Sequence, residues 1–261
     1  MFEIKKSYKI YDLVEIIKKL RAPDGCPWDR EQNHHSIRKN FIEEVYEAVE
    51  AIDTEDTALL KEELGDVLLQ VVFHVCMEQE VGGFSFDDVC DGICKKLVRR
   101  HPHVFGDVIA DNSEDAFSSW EAAKREEKGH KTSSSVMDSV SRALPALMRA
   151  EKIAARARKA GFDYDHANEA LFDLKSEVCE LEEALAEDNF AAIEDELGDV
   201  FFAAVNVARH KNIDPEQALT AATDKFSVRF RKIEAMAAER GIDVKTADMN
   251  LLNGLWKEAK K

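Results

Sequence analysis

The chain has 261 residues, a formal net charge of −16 and an apolar content of 45%. This length suits one large or two small domains, and the apolar content is enough for a hydrophobic core. The excess of acidic residues argues against DNA or other nucleic acid, and against an anionic membrane surface, as a partner. An anionic substrate would therefore need bound cations or local basic side chains.

The N-terminal segment and the cysteines favour a cytoplasmic protein. Lys and Asp interrupt the apolar residues of Met1–Leu20, so this segment resembles neither a signal peptide nor a membrane span. Five cysteines without a framework pattern are typical of reduced thiols. Cys90 and Cys94 precede His101 and His103, but the irregular spacing argues against a zinc site.

Helical periodicity dominates the first half of the chain, and the alternation typical of strands is absent. The second predicted helix has an apolar stripe at Ile42, Val45, Val49 and Ile52. A Pro- and Gly-rich turn follows the first helix, and Ser85 with Asp88 opens the fourth as a capping box. The predicted turn is Ala22–Asp29. The predicted helices are Tyr8–Leu20, Ser36–Ile52, Asp56–Glu80 and the segment from Ser85 to Arg100.

The helical pattern recurs after a polar run, Glu126–Ser135, which is the predicted linker. Pro145 stands near the start of a helix and Gly161 after its end. The remaining predicted helices are His166–Ala186, Asn189–Lys211, a segment from Asp214 to a stop at Gly241, and a last helix that begins at Thr246. The sequence thus predicts an all-α fold.

Two pairs of acids recur with the same spacing in both halves of the chain, 133 positions apart. The members of a pair are three positions apart, so their carboxylates share one face of a helix. Without bases beside them, four such carboxylates indicate a cation site in each half, and oxygen ligands favour Mg²⁺ or Mn²⁺ over zinc. These eight repeated acids are Glu44, Glu47, Glu63, Asp66, Glu177, Glu180, Glu196 and Asp199.

The second pair in each half adjoins a strongly apolar run, Leu64–Met77 or Leu197–Ala208. A helix that is apolar on nearly every side is typically enclosed by other helices, so we expect Asp66 and Asp199 to be buried. A buried carboxylate must be protonated, paired or bound to metal. We also expect the glycine before each of these Asp residues to allow a neighbouring helix to approach closely.

Basic residues and tryptophans correspond between the halves as well. Cations near a helix C-terminus interact favourably with the helix dipole, and contact with phosphate oxygens is the functional alternative. The tryptophans either pack in the core or stack on a nucleobase. The corresponding residues are Lys96, Arg100, Trp120 and Lys124 in the first half and Lys225, Arg229, Trp256 and Lys260 in the second.

On these motifs the chain resembles the MazG nucleoside triphosphate pyrophosphohydrolases of the all-α type. The family motif has two adjacent Glu, two residues, a third Glu and, after a gap, Glu-x-x-Asp. It appears here as Glu43-Glu44-Val45-Tyr46-Glu47 followed by Glu63-Leu64-Gly65-Asp66. Further resemblance lies in Gly25–Asp29, Arg99–Phe105 and Leu144–Ala150. The resemblance covers almost the whole chain, as two tandem MazG-like repeats at 1–130 and 131–261.

The resemblance implies hydrolysis of NTPs or dNTPs to the monophosphate and pyrophosphate, with Mg²⁺, by a homodimer whose helices complete each bundle. It implies that the eight repeated acids are the metal ligands. It also implies that Lys225, Arg229, Trp256 and Lys260 contact the nucleotide.

The expected mechanism uses two or more metal ions to neutralise charge on the triphosphate. Glu44 or Glu177 would orient the attacking water and take its proton. Ser176 stands where the motif has its first Glu, so the sequence leaves open which repeat is catalytic.

Three other functions fit parts of the pattern. A di-iron carboxylate bundle would place Glu-x-x-His on two core helices, where Asp66 and Asp199 stand instead of His. A non-enzymatic helical module would carry the acids on a solvated face. In a hybrid, one repeat catalyses and the other is a structural or regulatory nucleotide-binding unit.

Overall fold

A computed structural model describes residues 4–128 and 137–260, and within these residues the regular structure is helical, without strands. The all-α prediction is therefore confirmed. The chain divides into two compact units, Met1–Lys128 and Gly129–Lys261. The predicted limits of the two repeats, at 130 and 131, lie outside the described residues and stay a prediction. No helix in the described part is long and apolar enough to cross a lipid bilayer.

The N-terminal unit contains seven helices in its described part. They are α1 (Ile10–Arg21), α2 (Pro27–Glu31), α3 (Arg38–Asp53), α4 (Thr57–Glu80), α5 (Phe86–Arg100), α6 (Pro102–Phe105) and α7 (Ser113–Lys128). Helices α3 and α4 form a hairpin, α1 packs on α4, and α5 packs on α7. The core lies between α1 and the C-terminal half of α4, where Val14 and Ile17 contact Val72, Phe73 and Cys76.

The C-terminal unit contains five helices in its described part. They are α8 (Ala146–Lys159), α9 (Ala167–Ala186), α10 (Phe190–His210), α11 (Pro215–Glu239) and α12 (Met249–Ala259). Helices α9 and α10 repeat the hairpin of α3 and α4, and small buried side chains such as Ala170 and Ala203 line it. Helix α12 packs on α11 through Leu255 and Ile233.

The two hairpins turn in the same way. The residues before the second helix, Glu55 and Asp188, both have positive φ angles, 55° and 50°. Each is followed by a residue whose side-chain oxygen caps the next helix: Asp56 accepts from the backbone of α4, and Asn189 from that of α10. The equivalent turns place the acids of the two hairpins in equivalent positions.

The remaining predicted boundaries agree with the structure within a few residues, with three exceptions. The predicted linker begins too early, because α7 continues through Glu126 to Lys128. The rest of the predicted linker lies outside the described residues. The sequence also missed the short α2, which begins at Pro27 inside the predicted turn Ala22–Asp29, the short α6 and the whole of α7. The last helix begins at Met249 with Asp248 as its cap, not at Thr246.

The apolar stripe of α3 does not face the core of its own unit. Ile42, Val45, Val49 and Ile52 remain 47%, 42%, 40% and 57% exposed. The small residues Ala48 and Ala51 are the buried ones, because they face α4 at the close contact of the hairpin. A row of large apolar side chains is therefore left open along α3.

A charged cluster fastens the loop after α8 to the end of α10. Arg209 donates hydrogen bonds to both carboxylate oxygens of Asp163, one at 3.1 Å, and His210 Nε2 lies 3.2 Å from the same carboxylate. The side chains of Arg209 and Asp163 are only 8% and 18% exposed. The hydrogen bonds from Arg209 lower the pKa of Asp163 to about 2.

Substituting Asp163→Asn should lower the free energy of unfolding at pH 7 by about 1 to 2 kcal/mol, because Arg209 loses its charged partner. The pKa of Asp163 is depressed in the folded state, so its contribution is present above pH 4 and is lost as the pH falls toward about 2. Urea unfolding of the wild type and of the Asp163→Asn variant, at pH 7 and near pH 3, measures this difference in the free energy of unfolding. A destabilisation that did not shrink at the lower pH would contradict the assignment.

Candidate metal centres and nucleotide contacts

Three carboxylates meet at the hairpin of the N-terminal unit. Glu44 of α3 and Glu63 and Asp66 of α4 each offer one oxygen, and these oxygens all lie within 4.8 Å of one another. Glu47, one helical turn after Glu44, is exposed, and its charge acts on both Glu44 and Glu63. The hairpin thus assembles the first set of repeated acids from two different helices.

The C-terminal unit repeats this arrangement. Oxygens of Glu177 on α9 and of Glu196 and Asp199 on α10 also lie within 4.8 Å of one another. Glu180 is exposed and accepts a hydrogen bond of 3.3 Å from Ser176, the residue that replaces the first Glu of the motif. Its charge acts on Glu177 and Glu196.

Negative charge is uncompensated at both clusters. Burial, followed by the charges of Asp66 and Glu47, raises the pKa of Glu44. Burial and neighbouring carboxylates likewise raise the pKa values of Glu63, Glu177 and Glu196. Within the described part of the chain, no Lys, Arg or His forms an ion pair with any of the eight repeated acids. Oxygen donors gathered in this way fit a hard divalent cation such as Mg²⁺.

The expected burial of Asp66 and Asp199 is wrong for the single chain. Asp66 is half-buried and Asp199 is exposed, whereas Glu63, at 8% exposure, is the buried acid. The cause is that this face of α4 and α10 lies open, so that neighbouring apolar side chains, such as Leu64 and Phe201, are 54% exposed too.

The glycines beside these Asp residues do not mark a close helix contact within the chain. A Cβ atom built on Gly65 or on Gly198 would meet no atom within 4 Å. Both glycines lie on the same open face as the neighbouring exposed apolar residues, so the expected approach of another helix is absent from the described structure.

Each unit also holds one tryptophan with two cations close to its ring. In the N-terminal unit, Arg100 and Lys124 lie 5.6 Å and 4.5 Å from the ring centre of Trp120. In the C-terminal unit, Arg229 and Lys260 lie 5.8 Å and 5.7 Å from the ring centre of Trp256. The structure therefore brings together three of the four predicted nucleotide contacts in each unit.

The fourth predicted contact differs between the units. Lys96 lies near enough to Glu127 to lower the pKa of that carboxylate, after the larger effects of Arg100 and Arg99. Lys225 is exposed on α11, one turn before Arg229. Both cation and tryptophan clusters lie on helices other than those of the carboxylates, on α5 with α7 and on α11 with the end of α12.

Two polar contacts beside the clusters were not predicted. Gln70 is 9% exposed and lies close enough to Glu44 to oppose the rise in the pKa of that acid. Tyr164 donates a hydrogen bond of 2.6 Å to Asp173, whose charge acts on Glu177. Gln70 could have been predicted from the sequence, because it is a polar residue one turn after Asp66 within an apolar run. The contact of Tyr164 with Asp173 could not, because it depends on how the loop folds.

Comparison with known proteins assigns the chain to a family. The model of the MazG nucleotide pyrophosphohydrolase domain matches residues 32–105 and 167–233. The chain belongs to the MazG nucleotide pyrophosphohydrolase family. Each matched segment contains four of the eight repeated acids, so the MazG domain occurs here as two tandem copies.

Two curated relatives match nearly the whole chain, and a third matches a shorter part of it. A nucleoside triphosphate pyrophosphohydrolase of Escherichia coli strain K12 is 42% identical over 252 residues, which are 95% of this chain and 96% of the relative. The nucleoside triphosphate pyrophosphohydrolase/pyrophosphatase MazG of Thermotoga maritima is 42% identical over 249 residues, 95% of this chain and 94% of the relative. A nucleoside triphosphate pyrophosphohydrolase of Mycobacterium tuberculosis is 41% identical over 160 residues, 60% of this chain and 47% of the relative.

Adding Mg²⁺ should raise the melting temperature of this MazG protein near pH 7.5 and much less near pH 4.5. Because the pKa values of Glu44, Glu63, Glu177 and Glu196 are raised in the folded state, these acids destabilise the fold as the pH rises through their titration. A cation bound to the ionised acids opposes that loss. Thermal melts with Mg²⁺ and with chelator at both pH values test this, and an equal shift at both would argue against the carboxylate sites.

Proposed function

We propose that the chain hydrolyses nucleoside triphosphates, NTPs or dNTPs and including non-canonical ones, to the monophosphate and pyrophosphate, with Mg²⁺. Such an activity would serve to control or clean the nucleotide pool. The relatives from Escherichia coli and Thermotoga maritima are named as nucleoside triphosphate pyrophosphohydrolases, and the similarity extends along nearly the whole chain. Cytoplasmic location stays an expectation from the sequence.

The observation that carries the proposal is the pair of matched carboxylate clusters. In each unit, three oxygens from two helices of one hairpin lie within 4.8 Å, without a compensating cation among the described side chains. A bound divalent cation would supply positive charge for the triphosphate and for the leaving pyrophosphate. We propose the eight repeated acids as its ligands, with Mn²⁺ as a substitute metal.

The proton acceptor is proposed to be Glu44 in the first unit and Glu177 in the second. Both lie on the first helix of their hairpin, at the edge of the cluster opposite the Glu-x-x-Asp pair. Burial and neighbouring acids raise the pKa of both carboxyl groups, which makes each a stronger base than an isolated Glu. Each would orient a water molecule and take its proton as the water attacks phosphorus.

The two tryptophan clusters are proposed to bind the nucleotide. Trp120 and Trp256 offer a ring face for the base, and the cations beside them offer positive charge for phosphate oxygens. Lys96 and Lys225 would add to that charge. The Trp256 cluster is the more open to an anion, because Glu127 already pairs with Arg99 and Arg100 in the Trp120 cluster at 2.8 Å and 2.7 Å.

We propose that the protein acts as a homodimer in which a second copy covers the open apolar faces of the hairpins. The exposed stripe of α3 continues on α4 through Leu64 and Leu68, and α10 exposes Phe201. Apolar surface of this extent on a water-soluble helical bundle marks an interaction site. Covering it would also bury Asp66 and Asp199 more deeply, as the sequence pattern predicted.

A phosphorus NMR assay of mixed NTPs and dNTPs should show monophosphate and pyrophosphate, and only when Mg²⁺ is present. The metal is required because the ionised carboxylates would repel the anionic triphosphate unless a cation lay between them. The same assay with chelator in place of Mg²⁺ is the control. Diphosphate plus phosphate, or no turnover, would contradict the proposed reaction.

Glu180→Gln and Glu47→Gln should each lower metal affinity in their own unit by about 10- to 100-fold, because one ligand charge is removed. The matched controls are Glu183→Gln and Glu50→Gln, which alter exposed acids three positions further along the same helices. Metal titration and turnover of all four variants test the ligand set. Loss of turnover in Glu180→Gln alone would support the hybrid, with a catalytic second repeat and a structural or regulatory first one.

Ile52→Lys should convert a dimer into a monomer, because it places a charge in the open stripe of α3. Light scattering after size-exclusion chromatography measures the mass, and Glu50→Lys is the control for an added charge on the same helix. A wild-type protein that is monomeric at micromolar concentration would rule out the proposed dimer.

A further inference from the structure

The N-terminal hairpin carries a line of polar side chains that the C-terminal hairpin lacks. On α4, one polar residue follows another at every fourth position after Asp66, and this spacing keeps them on one face of the helix. These residues are Asp66, Gln70, His74 and Glu78. The corresponding positions 133 residues later, on α10 and at its C-cap, are Asp199, Ala203, Val207 and Lys211. The first position is the same in both hairpins, and the next two are apolar only in the second.

The far end of this line is joined by hydrogen bonds. His34 Nδ1 lies 2.7 Å from His74 Nδ1, and His34 Nε2 lies 2.9 Å from Glu78 Oε1. The ring of His74 also contacts Phe41 on α3, with ring centres 5.5 Å apart. His74 of α4 is therefore contacted by His34, which precedes α3, and by Phe41 of α3.

Gln70 occupies the near end of the line, beside the carboxylates. It is 9% exposed, whereas most polar side chains of this helix reach water. Its side chain lies close enough to Glu44 to lower the pKa of that acid, against the larger effects that raise it, and its buried Oε1 has no hydrogen-bond partner among the described protein atoms. A buried amide with one half unpartnered is unfavourable for folding, so its presence needs a reason other than stability.

We propose that Gln70 is a positioning residue of the N-terminal metal centre. Its N–H group holds the Glu44 carboxylate, which comes from the opposite helix, in register with Glu63 and Asp66. The C-terminal centre has Ala203 at this position, 2% exposed, and Glu177 there lies beside Asp173 instead. The two centres therefore differ in how the carboxylate from the first helix is supported. Cation affinity depends on an amide only in the N-terminal unit.

This inference rests on the proposed metal role of the carboxylates, and it is tested by metal binding without turnover. Manganese binding to the full chain is measured by electron paramagnetic resonance in a Glu196→Gln background, which weakens the C-terminal centre. Gln70→Met keeps the length and bulk of the side chain but removes the N–H donor. Gln70→Asn keeps the amide, but the side chain is one methylene shorter, so the amide lies farther from Glu44. Gln79→Met, an exposed position on the same helix, is the matched control.

Gln70→Met and Gln70→Asn should raise the dissociation constant for Mn²⁺ at the N-terminal centre by about tenfold, and Gln79→Met should leave it unchanged. In chelator, Gln70→Met should melt no lower than the parent, because an unpartnered buried amide has been replaced by an apolar side chain. A purely structural Gln70 would give the reverse, a lower melting temperature with unchanged metal affinity.

The possible outcomes separate this inference from the proposed function. Tight Mn²⁺ binding that is unchanged in a folded Gln70 variant would overturn the role of Gln70 and leave the metal centre standing. If Gln70→Met does not fold, the Gln70→Asn result decides in the same way. No Mn²⁺ binding in the parent background would overturn the metal role of the N-terminal carboxylates, and with it the inference.

Discussion

Repulsion among ionised carboxylates is the constraint on which the rest of this structure depends. Glu44, Glu63 and Asp66 are held within a few ångströms of one another, where each raises the energy of the others. The α3–α4 hairpin maintains this arrangement because small residues, Ala48 and Ala51, let its helices pack closely. The packing of the hairpin thus offsets a charge arrangement that protonation or a bound cation would relieve.

Duplication of the hairpin gives two centres with the same carboxylates but different surroundings. In the first, the polar line of α4 and Gln70 adjoin the cluster. In the second, Tyr164 holds Asp173 near Glu177, and the clamp of Asp163 by Arg209 fixes the loop that carries Tyr164. The repeated carboxylates are thus copied more closely than the residues that surround them. Differences between the two units should be sought in these supporting residues.

The cation and tryptophan clusters show the same combination of repetition and divergence. Arg100 and Arg229 occupy matching places over Trp120 and Trp256, at 5.6 Å and 5.8 Å from the ring centres. Only the first cluster has its arginine paired with a carboxylate, that of Glu127, within the described residues. An anionic ligand must compete with that carboxylate in the N-terminal unit. This contrast agrees with a division of labour between repeats.

The sequence by itself determined the helical class, most helix boundaries and the repeated acids, because helical periodicity, capping residues and fixed spacing are local properties. The eight repeated acids, read with the resemblance to the MazG family, were enough to indicate a metal-dependent phosphohydrolase. Local patterns also located the turns at Gly161 and Gly241, both of which have positive φ angles.

Tertiary structure decided which side of each helix is covered. The apolar runs around Asp66 and Asp199 predicted enclosed helices, but burial depends on what packs against them, and one face stays open in the single chain. Helix α7 was missed because polar residues dominate it and its position is fixed by packing on α5. Gln70 and the Tyr164–Asp173 contact depend on distances across the hairpin or along a folded loop, and these are set only when the helices come together.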